Sequence, residues 1–184
     1  MASFAQYEPA AHGGPLQGVT IRDGTVEDTR RVAEIYAERE GDSAARVEPL
    51  ITKEFENNAP AWRDRYVCVA VIHGRVEAYG RAGYLRMTER AGVEGMPDGW
   101  YLSGLVVDPA FRRRGIGRQL VEHRVRRLAA VTDQIRYFVS DENRPSIRLH
   151  QGFGFVEERR RVSFPRTDFD QRGGTLFVLN LPKG

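Results

Sequence analysis

The chain has 184 residues, 41% of them hydrophobic, and a formal net charge of +3; no apolar run approaches the length of a membrane span. These values predict one soluble domain and exclude an internal disulfide, because Cys68 is the single cysteine. The basic excess is almost wholly arginine, with Lys53 and Lys183 the only lysines; it suits an anionic cofactor, and no motif supports the alternative of nucleic acid. Residues 1–18 have neither a basic start nor an apolar stretch, so they read as a loosely ordered leader before a single domain over 19–184, cytoplasmic by default.

Taken in order, Thr20–Arg22 predicts a short strand, and Asp23-Gly24-Thr25 turns into a helix running to about Glu40, with Thr25 as its N-cap. Val26, Val32, Ala33, Ile35 and Tyr36 recur at helical spacing and are expected in the core. A second helix is expected from Pro49 to about Asn57. Arg65–Ile72 and Arg75–Met87 read as two strands of a hairpin around His73-Gly74, with Cys68 a small core residue of the first. Thr88–Gly99 predicts a long loop, either a substrate cover or a surface excursion, before a strand over Trp100–Val107. After a further helix come a strand at Gln134–Val139, a short helix at Pro145–Gln151, and strands at Val156–Phe164 and Thr175–Leu181. That order indicates an α/β fold with a mixed sheet and helices on its faces.

The stretch from Leu105 to Val131 carries the strongest chemical signal. An apolar strand turns at Asp108-Pro109, passes Arg112 to Gly117 and enters an amphipathic helix, in which Leu120, Val121, Val125 and Leu128 share one face and Arg124 is the one charge among them. A helix start leaves backbone N–H groups unpaired and carries a partial positive charge. Gly115 and Gly117 let an anion approach the main chain, and Arg112, Arg113, Arg114 and Arg118 add full charges, so a diphosphate is the expected guest. The spacing R-x-x-G-x-G fits neither a nucleotide triphosphatase loop nor a dinucleotide fold.

Val107-Asp108-Pro109 followed by Arg112–Gly117 resembles the acetyl-CoA-binding motif of the GNAT superfamily of N-acetyltransferases. Asn143 to Phe155 resembles the second signature of that superfamily, with His150 at a position where many members carry a tyrosine thought to protonate the departing CoA thiolate. The resemblance implies a GNAT-like, mostly antiparallel sheet flanked by helices, acetyl-CoA as cosubstrate without a metal, and direct attack of an amine on the thioester. It implies cofactor contacts from Leu105, Val106, Val107, Arg112, Arg113, Arg114, Gly115, Ile116, Gly117, Arg118, Asn143 and Ser146. His150 is the candidate acid, with a packing role as its competitor. The central strand lacks the glutamate often found there, which leaves Glu77, Glu94, Asp98 or a water chain as the base.

The His150 variant is also found in small-molecule branches of the superfamily, so the acceptor is expected to be a small primary amine such as an antibiotic, with a homodimer suggested by analogy. Acetylation of a protein lysine or N-terminus, and a non-catalytic acyl-CoA sensor, are the alternatives. Glu38, Glu40, Asp42, Glu48, Glu54 and Glu56 suggest a negative entrance for a cationic amine, against a plain solvated surface. Trp62, Tyr66, Tyr79, Tyr84, Trp100 and Tyr101 read as core or pocket wall, Arg159, Arg160 and Arg161 as a solvated strand face, and His123 as exposed.

Overall fold

Turn chemistry accounts for the central hairpin. In the computed structural model, strands β2 (Arg65–Ile72) and β3 (Arg75–Leu85) pair antiparallel around His73 and Gly74, whose φ values of 51° and 79° give the left-handed turn that matches strand twist. β1 (Val19–Asp23) adds antiparallel to β2, and the other strands are β4 (Gly99–Val107), β5 (Gln134–Ser140), β6 (Val156–Val162) and β7 (Gly174–Asn180). The order is β1-β2-β3-β4-β5-β7-β6, a seven-stranded mixed sheet flanked by four helices. β4 and β5 form a parallel ladder of two residue pairs, Trp100 with Ile135 and Tyr101 with Arg136, whereas β7 pairs antiparallel with both β5 and β6. The expected α/β class, with its mostly antiparallel sheet, is the fold observed.

The structure describes residues 14, 16–56, 64–87, 96–162 and 174–182. Most of the leader, Trp62, Glu94 and most of the two long loops fall outside them. Packing divides the chain into two compact units, one built chiefly from residues 8–83 and 103–124, the other from 84–102 and 125–184. No helix among the described residues is long and apolar enough to cross a membrane.

In the first unit, α1 (Thr29–Glu40) and α2 (Ala44–Glu56) bury Val32, Ile35, Val47, Ile51 and Phe55 with Val67 and Val69 of β2 and Val106 of β4. Two expectations need correction. Val26 is 53% exposed, because residues 26–28 form a 3-10 turn and the α-helix starts only at Thr29. Pro49 lies inside α2 instead of opening it; the buried stripe at Val47, Ile51 and Phe55 begins upstream of the proline, and its burial outweighs the hydrogen bond that Pro49 cannot donate. In the second unit, Tyr101 and Leu176 pack with Met87 and Met96, and Phe138 lies against them.

Asp28 fixes the start of α1. Its carboxylate accepts from Arg22 Nη1 at 2.7 Å, Arg22 Nη2 at 2.8 Å and the Thr25 backbone N–H at 2.9 Å. Burial by itself would raise this carboxyl, but the guanidinium and the Thr25 donors reverse that, and its pKa lies below the ordinary value. A carboxylate depressed on folding contributes stability that is full above the unfolded pKa, about 3.9, and is lost as pH falls through the folded value. The denaturation midpoint should therefore fall as pH drops below about 4, and Asp28→Asn should be less stable near neutrality with a flatter acid limb; superimposable pH profiles from urea titrations would refute this.

Candidate active site

Two arginines define the main chain that leads to the Arg112–Gly117 loop. Arg81 of β3 donates from Nη1 to both Glu54 oxygens at 3.1 Å, and its guanidinium lies 5.7 Å from the Tyr36 ring centre and 5.9 Å from that of Tyr79. Burial works against this charge and the Glu54 carboxylate more than restores it. Arg81 is accommodated by Gly104 of β4, where a Cβ would fall 2.4 Å from Arg81 Nε and where φ is +51°. The second arginine, Arg124, comes from α3 (Ile116–Leu128) and is 1% exposed. It donates from Nη1 to the carbonyls of Arg81 at 2.9 Å and Ser103 at 3.2 Å, and from Nε to Leu120 O at 3.2 Å. Desolvation lowers its pKa, and Gly80, whose Cβ would meet Arg124 Nε at 2.9 Å, leaves it space.

The turn after β4 is held by charge. Arg31 Nη2 donates to Glu77 Oε2 at 2.6 Å and to Asp108 Oδ2 at 3.2 Å, and its Nε donates to Val76 O at 3.0 Å. Asp108 in turn caps the short Pro109–Phe111 turn by accepting from the Ala110 N–H at 3.0 Å. Arg112 Nε donates back to Val107 O at 3.0 Å, and Arg113 and Gly115 take left-handed conformations, φ 63° and 81°. The Gly115 carbonyl accepts from Gln119 N at 3.1 Å, so α3 begins there, and a Cβ on Gly115 would meet nothing within 4 Å. Arg112, Arg113, Gly115 and Arg118 are exposed, Arg114, Gly117, Leu105 and Val107 half-buried, and the Val106 and Ile116 side chains buried. The buried side chains of Val106 and Ile116 anchor the strand and the loop.

In the second unit, Asn143 Oδ1 accepts from Ser146 N at 3.3 Å and caps α4 (Arg144–Gln151). His150 is 3% exposed, and its Nδ1 lies 2.9 Å from Ser146 O, which requires the proton on that nitrogen. The imidazole stacks on Tyr137 with ring centres 4.0 Å apart and meets the edge of Phe155 at 5.4 Å. Asp98 is half-buried after Pro97, whose carbonyl accepts the Tyr101 hydroxyl at 2.6 Å.

Several sequence expectations change here. His123 is not simply exposed: its Nε2 lies 3.1 Å from Asp23 Oδ1, which also accepts the Tyr66 hydroxyl at 2.7 Å. Three of the six residues of the acidic cluster are matched by cations: Asp42 pairs with Arg46, Glu54 with Arg81 and Glu40 with Arg39. Glu48 and Glu56 share a surface groove on α2 with Lys53. Cys68 is buried, and desolvation pushes its thiol up to about 11, the state of an inert core residue. Tyr84 is 38% exposed, whereas Tyr66, Tyr79, Trp100 and Tyr101 are core. Among the described residues no group of three His, Cys, Asp or Glu side chains could hold a metal ion. Arg31 and Tyr137 were not singled out in the sequence, where one reads as a helix surface charge and the other as a strand apolar residue.

The mixed sheet, the glycine-opened loop and the helix behind it define an N-acetyltransferase fold. The chain belongs to the acetyltransferase (GNAT) family, whose model matches residues 30–155, and is by that membership an N-acetyltransferase. Among solved structures it resembles a GNAT superfamily phosphinothricin acetyltransferase from Sinorhizobium meliloti in complex with AcCoA, at 22% identity and TM-score 0.65 over 90% of each chain. It also resembles a ribosomal-protein-alanine N-acetyltransferase from Brucella melitensis, at 20% identity and TM-score 0.65, with 88% of this chain and 99% of that one covered. A third is Arabidopsis thaliana NAA60 in complex with a bisubstrate analogue, at 19% identity and TM-score 0.63, with coverages of 89% and 98%. These likenesses show the fold. No curated protein sequence matches the chain.

Gly104 tests the geometry of β4 directly. Gly104→Ala combines a left-handed φ with a clash against Arg81 Nε and should cost roughly 2–3 kcal/mol of unfolding free energy, read by urea denaturation. A loss below about 0.5 kcal/mol would mean that the bend at Gly104 is not required.

Proposed function

We propose that this enzyme transfers the acetyl group of acetyl-CoA to a primary amine of a small molecule, by direct attack within a ternary complex. The carrying observation is the loop at the start of α3: a left-handed Gly115 with open space where a side chain would be, next to a helix start flanked by Arg112, Arg113, Arg114 and Arg118. That combination suits a diphosphate. Arg112–Arg118 bind it, and the main chain of Leu105–Val107 receives the pantetheine arm and offers N–H donors to the carbonyl under attack.

The amine must lose a proton, and the leaving thiolate, with a pKa near 8.5, needs little help. Because the Glu77 carboxylate is engaged by Arg31, we assign the amine proton to Asp98 or to water, and keep Glu77 as the residue that steadies the Asp108 turn. His150 has Nδ1 committed to Ser146 O, so any proton it gives the thiolate leaves from Nε2.

Thiol release measured across small amines, amino acids, aminoglycosides and peptides with free N-termini tests the acceptor class; turnover confined to the peptides would replace the small-molecule reading with protein acetylation. Gly115→Val should weaken acetyl-CoA binding by about tenfold or more, because it strains the loop and fills the space offered to phosphate. Calorimetry giving an unchanged Kd would remove the loop from the cofactor site.

A further inference from the structure

One side chain joins α1, β3 and the turn after β4. Arg31, in the first turn of α1, has a side chain that is 18% exposed and lies between two carboxylates, with Glu77 Oε2 at 2.6 Å and Asp108 Oδ2 at 3.2 Å from Nη2. Its Nη1 meets Glu34 Oε2 at 3.2 Å and its Nε donates to Val76 O at 3.0 Å. Such a spread of acceptors suits the planar, forked donors of a guanidinium and not the point charge of an ammonium. Burial works against the charge, and the Glu77 and Glu34 carboxylates more than restore it. Asp108 uses both of its oxygens, because Oδ2 meets Arg31 while Oδ1 accepts from the Ala110 N–H at 3.0 Å. Its main chain is held as well: its N–H donates to Glu77 O and its carbonyl accepts from Phe111 N, both at 2.9 Å. From there Arg112 Nε returns to Val107 O at 3.0 Å. All of these residues belong to the first unit.

We infer that Arg31 is a positioning residue for cofactor binding: by holding Asp108 against Glu77 it sets the turn from which the Arg112–Gly117 loop departs, and it acts through Asp108, not through contact with the ligand. This rests on the acetyl-CoA reading given above. A loop whose entry is already fixed loses less conformational freedom when it closes on a diphosphate. The competing account is that Arg31 only adds positive charge near an anion site. Charge changes separate the two, because neutralising Arg31 removes a positive charge whereas neutralising Asp108 removes a negative one. A field effect then moves the affinities in opposite directions, and a positioning effect weakens both.

The test is calorimetry on the full chain with acetyl-CoA and with 3′-phospho-ADP, which carries the diphosphate alone. In Asp108→Asn the amide offers one acceptor oxygen where the carboxylate offers two, so the hold on Arg31 and the Ala110 cap cannot both persist. Arg31→Gln and Asp108→Asn should each bind both ligands about fivefold more weakly, and the double variant should lose no more than the weaker single one. Arg22→Gln, which removes the ion pair to Asp28 ahead of the same helix, should lower the urea midpoint and leave both affinities unchanged. The inference is overturned by unchanged affinity in Arg31→Gln, by Asp108→Asn binding as tightly as the wild type or more tightly, by additive losses in the double variant, or by a matching loss in Arg22→Gln. If Arg31→Gln does not fold, Asp108→Asn beside Arg22→Gln decides the question. Wild-type protein that binds neither ligand would instead overturn the acetyl-CoA reading itself.

Discussion

The first unit depends on two buried guanidinium groups beside β3 and β4, one holding main chain and the other a carboxylate. Arg124 reaches from α3 to the carbonyls of Arg81 and Ser103, and Arg81 reaches towards α2, where Glu54 neutralises it. Each needs a glycine: Gly80 gives way to Arg124, and Gly104 to Arg81. The two differ in electrostatics. Arg81 is compensated by a carboxylate, whereas Arg124 donates to peptide carbonyls, keeps a buried Nη2 without a partner among the described residues, and has its pKa lowered by burial. Carbonyl dipoles are a weaker counterweight than an anion, but they connect α3 to two strands at once, which an ion pair with one side chain would not do.

That connection matters for the proposed chemistry because α3 begins at the Arg112–Gly117 loop. A helix start binds an anion well only if its N–H groups are held in place beforehand. Here Ile116 is buried at the first turn, Arg112 ties the loop to Val107, and Arg31 ties the Asp108 turn to Glu77. Arg112 is exposed, so it adds charge to the loop as well as order. The strained φ of Arg113 fits this ordering, since a non-glycine residue in the left-handed region persists only where its surroundings fix it.

The second unit shows a different economy. His150 is stacked between aromatic neighbours and has one nitrogen fixed by its own helix, so its ring plane and tautomer are set by packing and by a single carbonyl. The Tyr137 phenol stacked on it has no hydrogen-bond partner among the described residues.

The sequence alone carried the fold class and the loop that leads into α3, because both are written in local signals: strand alternation, a left-handed hairpin turn at His73-Gly74, and glycines and arginines at a helix start. It also marked Arg124 as an anomaly inside an apolar arc, yet could not say what the charge was for, since its partners, Arg81 and Ser103, lie 43 and 21 residues away. Separation in sequence likewise hid the pairing of Arg31 with Glu77, of His123 with Asp23 and of Glu54 on α2 with Arg81. Pro49 was misread because a proline signals a helix start locally, while the buried stripe that overrides it is a property of packing. Tertiary structure alone decided which polar groups are satisfied, because hydrogen-bond satisfaction depends on neighbours brought together by the fold, and that is why Tyr137 is visible only there.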